Sequence, residues 1–130
     1  MARNTRTFSD LDLNFTAHPV TRDLTRKLDE AAIKQAVKTL VLTSNYERPF
    51  HSDVGSQIRG LMFEPITPML NMLIKRAIID VITNHEPRVR LIDVLVRFSP
   101  DQNSAYVTIE FTIVNTVKPL QIDLVLTRTR

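Results

Sequence analysis

Hydrophobic positions follow a helical repeat in residues 29–43 and again in residues 68–84, and they alternate with polar ones in three segments after residue 90. One apolar helical stripe in residues 29–43 consists of Ile33, Val37, Leu40 and Val41. A longer one in residues 68–84 consists of Leu70, Leu73, Ile74, Ala77, Ile78, Val81 and Ile82. Spacings of three and four residues predict one buried face on each of two main helices. Thr67 and Pro68 are typical of a helix start, and Pro87 predicts that the second helix ends just before it.

Three later segments alternate between apolar and polar residues. Their apolar positions are Ile92, Val94, Val96 and Phe98, then Val107, Ile109, Phe111 and Ile113, then Ile122, Leu124 and Leu126. The turn-rich segments "SPDQNS" and "NTVKP" separate them, which predicts three antiparallel strands. We therefore expect an α+β fold, with two main helices packed on a small antiparallel three-stranded C-terminal sheet. Its last strand is expected to be an exposed edge.

Residues 1–28 are polar and irregular in pattern, with Phe8, Leu11, Leu13 and Phe15 scattered among polar neighbours. This pattern predicts an N-terminal arm that packs either on its own domain or on a partner. The remaining residues, 29–130, are predicted to form a single α+β domain, since 130 residues suit one hydrophobic core.

Composition argues against several classes of function. The chain has no cysteine, and His18, His51 and His85 lie in three separate segments, so neither a metal site nor a cofactor is expected. No apolar stretch is long enough to span a membrane, and no signal peptide is recognisable, so the cytoplasm is the default compartment.

Nucleic-acid binding is also not expected. The net charge is only +3, and the arginines are scattered along the chain instead of forming a stripe. Arg90 and Arg97 differ in strand parity and would point to opposite faces of an unbroken strand.

Three short segments place an acid close to a proline: "ERPF" at 47–50, "FEP" at 63–65 and "EPR" at 86–88. Glu47, Glu64 and Glu86 could act as general acids, but an arginine beside Glu47 and near Glu86 would hold those acids ionised. Proline fixes the local backbone, so it could present a charged neighbour to a partner with little entropy to lose. The residues alone leave two hypotheses open, an intramolecular Glu–Arg pair and a docking site.

The order of these motifs resembles a known family. "FSDLD", "ERPFHSDVG", "LMFEP" before the longest helix, "EPRV" after it and three final strands occur in the order typical of the small baseplate wedge proteins of contractile phage tails. This family is also called tail-lysozyme-like and has a counterpart in type VI secretion baseplates. The resemblance covers nearly the whole chain. It departs at Tyr46, where the family often has a glycine, and this leaves open a left-handed turn at that position, which Asn45 could supply instead.

The resemblance implies a structural role in a virion tail baseplate assembled in the host cytoplasm. Such proteins clasp a helical bundle of larger wedge proteins and template the first ring of sheath subunits, and their fold resembles the interlocking domain of those subunits. The implied partners are wedge proteins and a sheath subunit bound by strand addition, with no catalytic residues. The implied partner-binding residues are Glu86, Pro87, Arg88, Glu47, Arg48, Pro49 and Phe50. The alternative is a cell-wall-degrading, lysozyme-like hydrolase.

Overall fold

The computed structural model describes residues 8–114 and 116–128. Within them lie β1 (Ser9–Leu11), β2 (Arg26–Leu28), α1 (Asp29–Leu42), α2 (Ile58–Leu61), α3 (Pro68–His85), β3 (Val89–Ser99), β4 (Ser104–Ile113) and β5 (Pro119–Thr127). The start of the predicted arm, one residue of the predicted "NTVKP" turn and the last two residues lie outside the described residues. The chain forms two compact units, with the boundary inside α1 between Ala36 and Val37.

The N-terminal unit contains regular structure that the sequence pattern did not predict. β1 and β2 pair antiparallel, with Ser9 opposite Leu28. The carboxylate of Asp12 organises the connecting segment by accepting hydrogen bonds from the Asn14 N–H at 3.0 Å and the Thr16 hydroxyl at 2.6 Å. The sequence pattern did not predict these elements, because side-chain hydrogen bonds to Asp12 produce no hydrophobic periodicity. The division into an arm of residues 1–28 and a domain of residues 29–130 stays a prediction.

In the second unit, α3 begins and ends where the sequence indicates. Thr67 caps it by accepting the Leu70 N–H at 3.3 Å, and Pro68 occupies the first turn, where its missing N–H leaves no unmet donor. The buried stripe consists of Leu70, Ile74, Ile78, Val81 and Ile82. This helix packs against β3 and so lies along one edge strand of the sheet.

The predicted three-stranded antiparallel C-terminal sheet is confirmed, with strand order β3-β4-β5. Between β3 and β4, the short helical turn Pro100–Gln102 ends at Asn103, which takes a left-handed backbone with φ of 48°. The central strand buries one face: Ala105, Val107, Ile109, Phe111 and Ile113. The strands at both sides of β4 are edges within the described part of the chain.

A β-bulge in β3 changes the predicted alternation. Leu91 pairs with Phe111 and Asp93 pairs with Glu110, so Ile92 is the extra residue. Ile92 is 53% exposed, and its predicted place on the buried face was wrong.

The same bulge alters the positions of two basic residues. Because one residue is added between them, Arg90 and Arg97 pair with Thr112 and Tyr106, which lie on the same face of β4. The prediction that these arginines face opposite sides was therefore wrong. Glu110 lies on that same face, so the surface is mixed in charge and is not a basic stripe.

None of the helices in residues 8–114 and 116–128 is long and apolar enough to cross a membrane.

Candidate functional site

The Glu86–Arg88 corner joins the longest helix to the sheet. Glu86 is the C-cap of α3, and its N–H donates to the Ile82 carbonyl at 2.9 Å. The Val89 N–H donates to the Glu86 carbonyl at 3.3 Å. The Val114 N–H then donates to the Arg88 carbonyl at 2.9 Å, which ties the corner to the end of β4. With Pro87 fixing its own φ, the backbone here has little freedom to change shape.

The two charged side chains of this corner bind each other. Arg88 donates Nε to Glu86 Oε1 at 2.7 Å and Nη2 to Oε2 at 3.0 Å, a two-point guanidinium–carboxylate pair. The Glu86 side chain is 7% exposed and the Arg88 side chain 27% exposed. The intramolecular pair left open by the sequence is therefore present, and Pro87 is the exposed member of the triplet.

A second candidate segment, "ERPF", lies in the loop of residues 44–56, which we call the 44–56 loop. The Glu47 carboxylate turns back and accepts the Ser44 N–H at 2.8 Å, while the Tyr46 N–H donates to the Ser52 carbonyl at 3.1 Å. Tyr46 itself takes the left-handed backbone, with φ of 67°, and the alternative that Asn45 supplies it is not what the structure has. Phe50 is left-handed as well, with φ of 64°.

The base of the 44–56 loop is closed by serine and glycine. The Ser56 N–H donates to the Thr43 carbonyl at 2.8 Å, and the Ser56 hydroxyl donates to the Val41 carbonyl at 2.9 Å. Gly55, with φ of 133°, lies against this crossing: a Cβ there would be 2.7 Å from the carbonyl carbon and oxygen of Ser44. Only glycine allows the two ends of the loop to approach this closely.

This closure leaves the aromatic residues of the loop outside the core. Phe50 is completely exposed and Tyr46 is 84% exposed. Arg48 and Pro49 between them are exposed as well, so "ERPF" forms the outward tip of a loop whose base is held by backbone hydrogen bonds.

The loop and the end of α3 form the walls of one open groove of about 400 Å³, which we call the α3 groove. Its lining includes Asn45 and Asp53 from the loop and Asn84 and His85 from the helix. These residues neighbour the two candidate segments in sequence, but neither Glu47–Phe50 nor Glu86–Arg88 lines the groove itself. The structure therefore brings the elements that carry both segments together without joining the segments into one cluster.

Polar residues of α3 in this groove were missed at the sequence level. Arg76, Asp80 and Asn84 line it and are exposed. Their spacing of four residues places them on one helical face beside the apolar stripe, and that spacing was the available signal.

Two of the three candidate acids, Glu47 and Glu86, have carboxylates that accept hydrogen bonds within the chain. Both Glu86 oxygens accept hydrogen bonds from Arg88, and a Glu47 oxygen accepts one from the Ser44 backbone. Lys75 donates to Asp93 at 2.9 Å, and this hydrogen bond, with the Val94 N–H as a second donor, lowers the pKa of Asp93 from its ordinary value. Within the described residues, no group of His, Asp and Glu side chains could hold a metal ion.

The two edges of the sheet differ in how open they are. β3 carries the bulge at Ile92, and the Lys75–Asp93 ion pair links it to α3. Bulges and charges protect an edge strand against pairing. β5 alternates without interruption between exposed and buried residues and keeps a regular register with β4 throughout. It is therefore the edge better suited to accept another strand.

Comparison with known proteins gives relatives in contractile tails and related particles. The baseplate wedge protein gp25 of Enterobacteria phage T4 is 27% identical over 115 residues, which cover 88% of this chain and 86% of that protein.

Among solved structures, a chain in the anti-feeding prophage baseplate matches with a TM-score of 0.66 at 20% identity, covering 95% of this chain and 87% of its own length. A chain in the postcontracted pyocin R2 baseplate has a TM-score of 0.59 at 18% identity, with coverages of 90% and 97%. A crystal structure of a candidate tail lysozyme from Geobacter sulfurreducens has a TM-score of 0.67 at 21% identity, with coverages of 75% and 89%. At these identities, the three structures show that the fold is shared.

The model of the family described as baseplate wedge protein gp25 matches residues 27–118, which include both candidate segments and most of the sheet. The chain therefore belongs to the baseplate wedge protein gp25 family.

Proposed function

We propose that this protein is a structural component of a contractile-tail baseplate that binds larger wedge proteins and templates the first ring of sheath subunits. The observation that carries the proposal is the tip of the 44–56 loop. Tyr46 and Phe50 both have strained, left-handed backbones and both place an aromatic ring in solvent. In the isolated chain, an exposed side chain on a strained backbone gains no packing energy that would offset the strain. Residues with such backbone strain are typical of binding segments.

The wedge partner is proposed to be a helical bundle that contacts the loop tip and the Glu86–Arg88 corner. Phe50 and Tyr46 supply the apolar anchors, because aromatic residues contribute much of the binding energy at interfaces. Arg48 and Pro49 lie between them and are exposed, and Glu47 fixes the turn beneath them through Ser44. The α3 groove lies next to these residues and offers Arg76 and Asp80 for polar contacts with the bundle.

The proposed role of the Glu86–Arg88 corner is to hold its shape. Since Arg88 satisfies both oxygens of Glu86, the triplet offers the partner a stiff elbow with Pro87 exposed. A surface that is already ordered before binding loses less conformational entropy in the complex.

The sheath partner is proposed to add a strand to β5. That strand is a regular edge of the three-stranded sheet, and addition of an extended segment would satisfy its outward backbone groups. We further propose that the sheet resembles the interlocking domain of sheath subunits, in which neighbours complete one another's sheets. This resemblance would make the chain a template for the first sheath ring in a virion tail baseplate assembled in the host cytoplasm.

The hydrolase alternative receives less support from the geometry. A glycoside hydrolase needs one carboxylic acid able to donate a proton and a second carboxylate across the scissile bond. Glu86 is buried and paired with a permanently charged arginine, and Glu47 is hydrogen-bonded to backbone. We propose that the chain is not an enzyme and acts without nucleic acid, membrane or cofactor.

Co-expression with the larger wedge proteins of the same tail tests the proposed function. Phe50→Ala is expected to reduce co-purification by about tenfold or more, as for a central aromatic anchor, without changing the stability of the isolated chain. Val117→Ala is the matched control, since Val117 is 95% exposed and lies on a different loop. Normal co-purification of Phe50→Ala would contradict the loop as a docking site, and sheathed tails formed without this protein would contradict its role as a sheath template.

A further inference from the structure

The C-terminal end of β5 borders a second cavity, of about 210 Å³, which we call the edge pocket. Its other walls come from the end of α1 and from α2 and the residues after it. The buried apolar side chains in the lining are Val41, Ile58, Met62 and Leu126. A cavity of about 150 Å³ holds a benzene molecule, so the edge pocket has room for one large apolar side chain.

Residues from both faces of β5 contribute to the lining of the edge pocket. Four consecutive residues, 125–128, line it. Neighbouring side chains of a strand point to opposite faces, so a cavity reached by four in succession must border the edge of the strand. A segment paired with β5 at this end would therefore pass directly over the pocket.

The charge at the pocket is positive. Arg59 and Arg128 line it, and its lining contains no acidic residue. Arg128 is held in place, because its Nη2 donates to the Phe63 carbonyl at 2.8 Å. Arg59 is exposed and belongs to α2, an element of the pocket wall other than β5. A ligand that enters here meets two guanidinium groups and a mixed lining, in which apolar side chains lie beside Ser44, Ser56 and Thr127.

We propose that the edge pocket is a specificity site for the strand that pairs with β5, and that it takes one large apolar side chain followed closely by an acidic residue. Backbone hydrogen bonds along β5 provide affinity for any extended segment, and the pocket selects the sequence and fixes the register. The carboxylate pairs with Arg59 and Arg128 at the pocket mouth. This inference rests on the proposed use of β5 as an accepting edge and adds the chemistry of the segment it accepts.

Short synthetic peptides tested on the full chain provide a direct experiment. The probe is an extended Thr/Ser peptide with a central Leu-Thr-Glu sequence, in which the Leu and the Glu share one face of the strand. Binding is measured by fluorescence anisotropy, and its position by backbone amide exchange of residues 120–128. A peptide with Ser-Thr-Glu is expected to bind about tenfold more weakly, because the apolar anchor is lost. A peptide with Leu-Thr-Lys tests the charge preference.

Charge reversal on the protein gives the reciprocal test. Arg59→Glu is expected to weaken binding of the Leu-Thr-Glu peptide and to strengthen binding of the Leu-Thr-Lys peptide, each by about fivefold in affinity. Arg90→Glu, at an exposed arginine on β3, the edge strand on the other side of β4, is the matched control and should change the binding of neither peptide. Leu42→Trp, at a half-exposed position in the pocket lining, should keep the leucine side chain of the peptide out of the edge pocket while leaving the melting temperature of the protein unchanged.

The outcomes separate this inference from the proposed function. Equal binding of all three peptides, or absence of protection on β5 with any of them, overturns the edge pocket as a specificity site. Sheath assembly on Leu42→Trp baseplates at the wild-type level also overturns it, but leaves the templating role intact. Failure of the wild-type chain to support sheathed tails overturns the proposed function itself.

Discussion

Arg88 binds the carboxylate of Glu86 across a single intervening proline, with Nε–Oε1 at 2.7 Å and Nη2–Oε2 at 3.0 Å. Glu86 is also the C-cap residue of α3, and its N–H donates to the Ile82 carbonyl. The pair therefore connects the end of that helix to the residue before β3. A buried carboxylate requires such a partner, since an unpaired charge in this position is strongly unfavourable. The charged members of the corner therefore contribute to the fold before any partner arrives.

Substitution of Arg88 should destabilise the isolated protein. Arg88→Ala leaves the Glu86 carboxylate buried without its two donors, and we expect a loss of about 2–3 kcal/mol in the free energy of unfolding. Urea denaturation measures this change. Arg90→Ala, an exposed arginine two residues further on, should stay within about 0.5 kcal/mol of the wild type.

A double-mutant cycle with Glu86→Gln isolates the pair. The loss from Arg88→Ala should shrink by at least about 1 kcal/mol in the Glu86→Gln background, where no buried charge remains. Equal losses in both backgrounds would show that Arg88 acts through other contacts. Loss of tail assembly in Arg88→Ala is evidence of a docking role only at a temperature where the variant remains folded.

Gly55 should tolerate no side chain, whereas Gly60 should. The added Cβ of Gly55→Ala would lie 2.7 Å from Ser44 and 2.9 Å from the Thr43 carbonyl oxygen, and the backbone φ of 133° is itself unfavourable for alanine. We expect a loss of more than about 2 kcal/mol in unfolding free energy, because the loop base must open. Gly60→Ala is the control: it meets no atom within 4 Å and should leave stability unchanged or raise it by up to about 1 kcal/mol. Similar effects of the two substitutions in thermal unfolding would contradict the close crossing.

Tyr46→Gly should stabilise the isolated chain and weaken its assembly. The left-handed backbone at φ of 67° disfavours tyrosine by about 1 kcal/mol, and the exposed ring gains little from packing. Glycine removes that strain, partly offset by its greater freedom in the unfolded state. Tyr46→Ala retains the strain and should leave stability nearly unchanged, so a difference between the two variants in urea denaturation reports the backbone alone. Stronger wedge binding by Tyr46→Gly would contradict the ring as an anchor.

Much of the second unit could be predicted from the sequence because its signals are local. Thr67, Pro68 and the apolar stripe define α3, and alternation defines β4 and β5. The bulge at Ile92 could not be predicted, since an apolar residue at that place fits an unbroken strand equally well. β1 and β2 were not predicted either, because three-residue strands are too short to show a hydrophobic period.

In the candidate site too, the sequence shows the features that depend on neighbouring residues and does not show those that depend on tertiary packing. The sequence identified the acid–proline segments and offered a Glu86–Arg88 pair as one of two open hypotheses, because the two residues are close in sequence and opposite in charge. The spacing of Arg76, Asp80 and Asn84 places them on one helical face, but no local spacing shows which other elements line the α3 groove or the edge pocket. The sequence left the left-handed residue open between Tyr46 and Asn45, because intrinsic preference favours asparagine over tyrosine in that conformation.

The N-terminal unit should lose stability in acid through Asp12. The Thr16 hydroxyl, the Asn14 N–H and the nearby Lys27 favour the ionised carboxylate and lower its pKa from the ordinary value of 3.8. A lowered pKa in the folded state means that the stabilisation is complete above the ordinary value and disappears as the pH falls through the lower, folded value. Protonation then removes acceptors that hold the segment between β1 and β2.

Carboxyl-detected NMR titration from pH 6 to pH 2 checks this behaviour. The Asp12 carboxyl should titrate below the ordinary aspartate range, and Thr16→Val should raise its pKa because the largest cause of the shift is removed. The Asn14 and Thr25 resonances should move with the same midpoint, since both residues donate to that carboxylate. Asp12→Asn should abolish their shared transition. An Asp12 midpoint at the ordinary value, or Asn14 shifts that persist in Asp12→Asn, would show that this carboxylate does not organise the N-terminal unit.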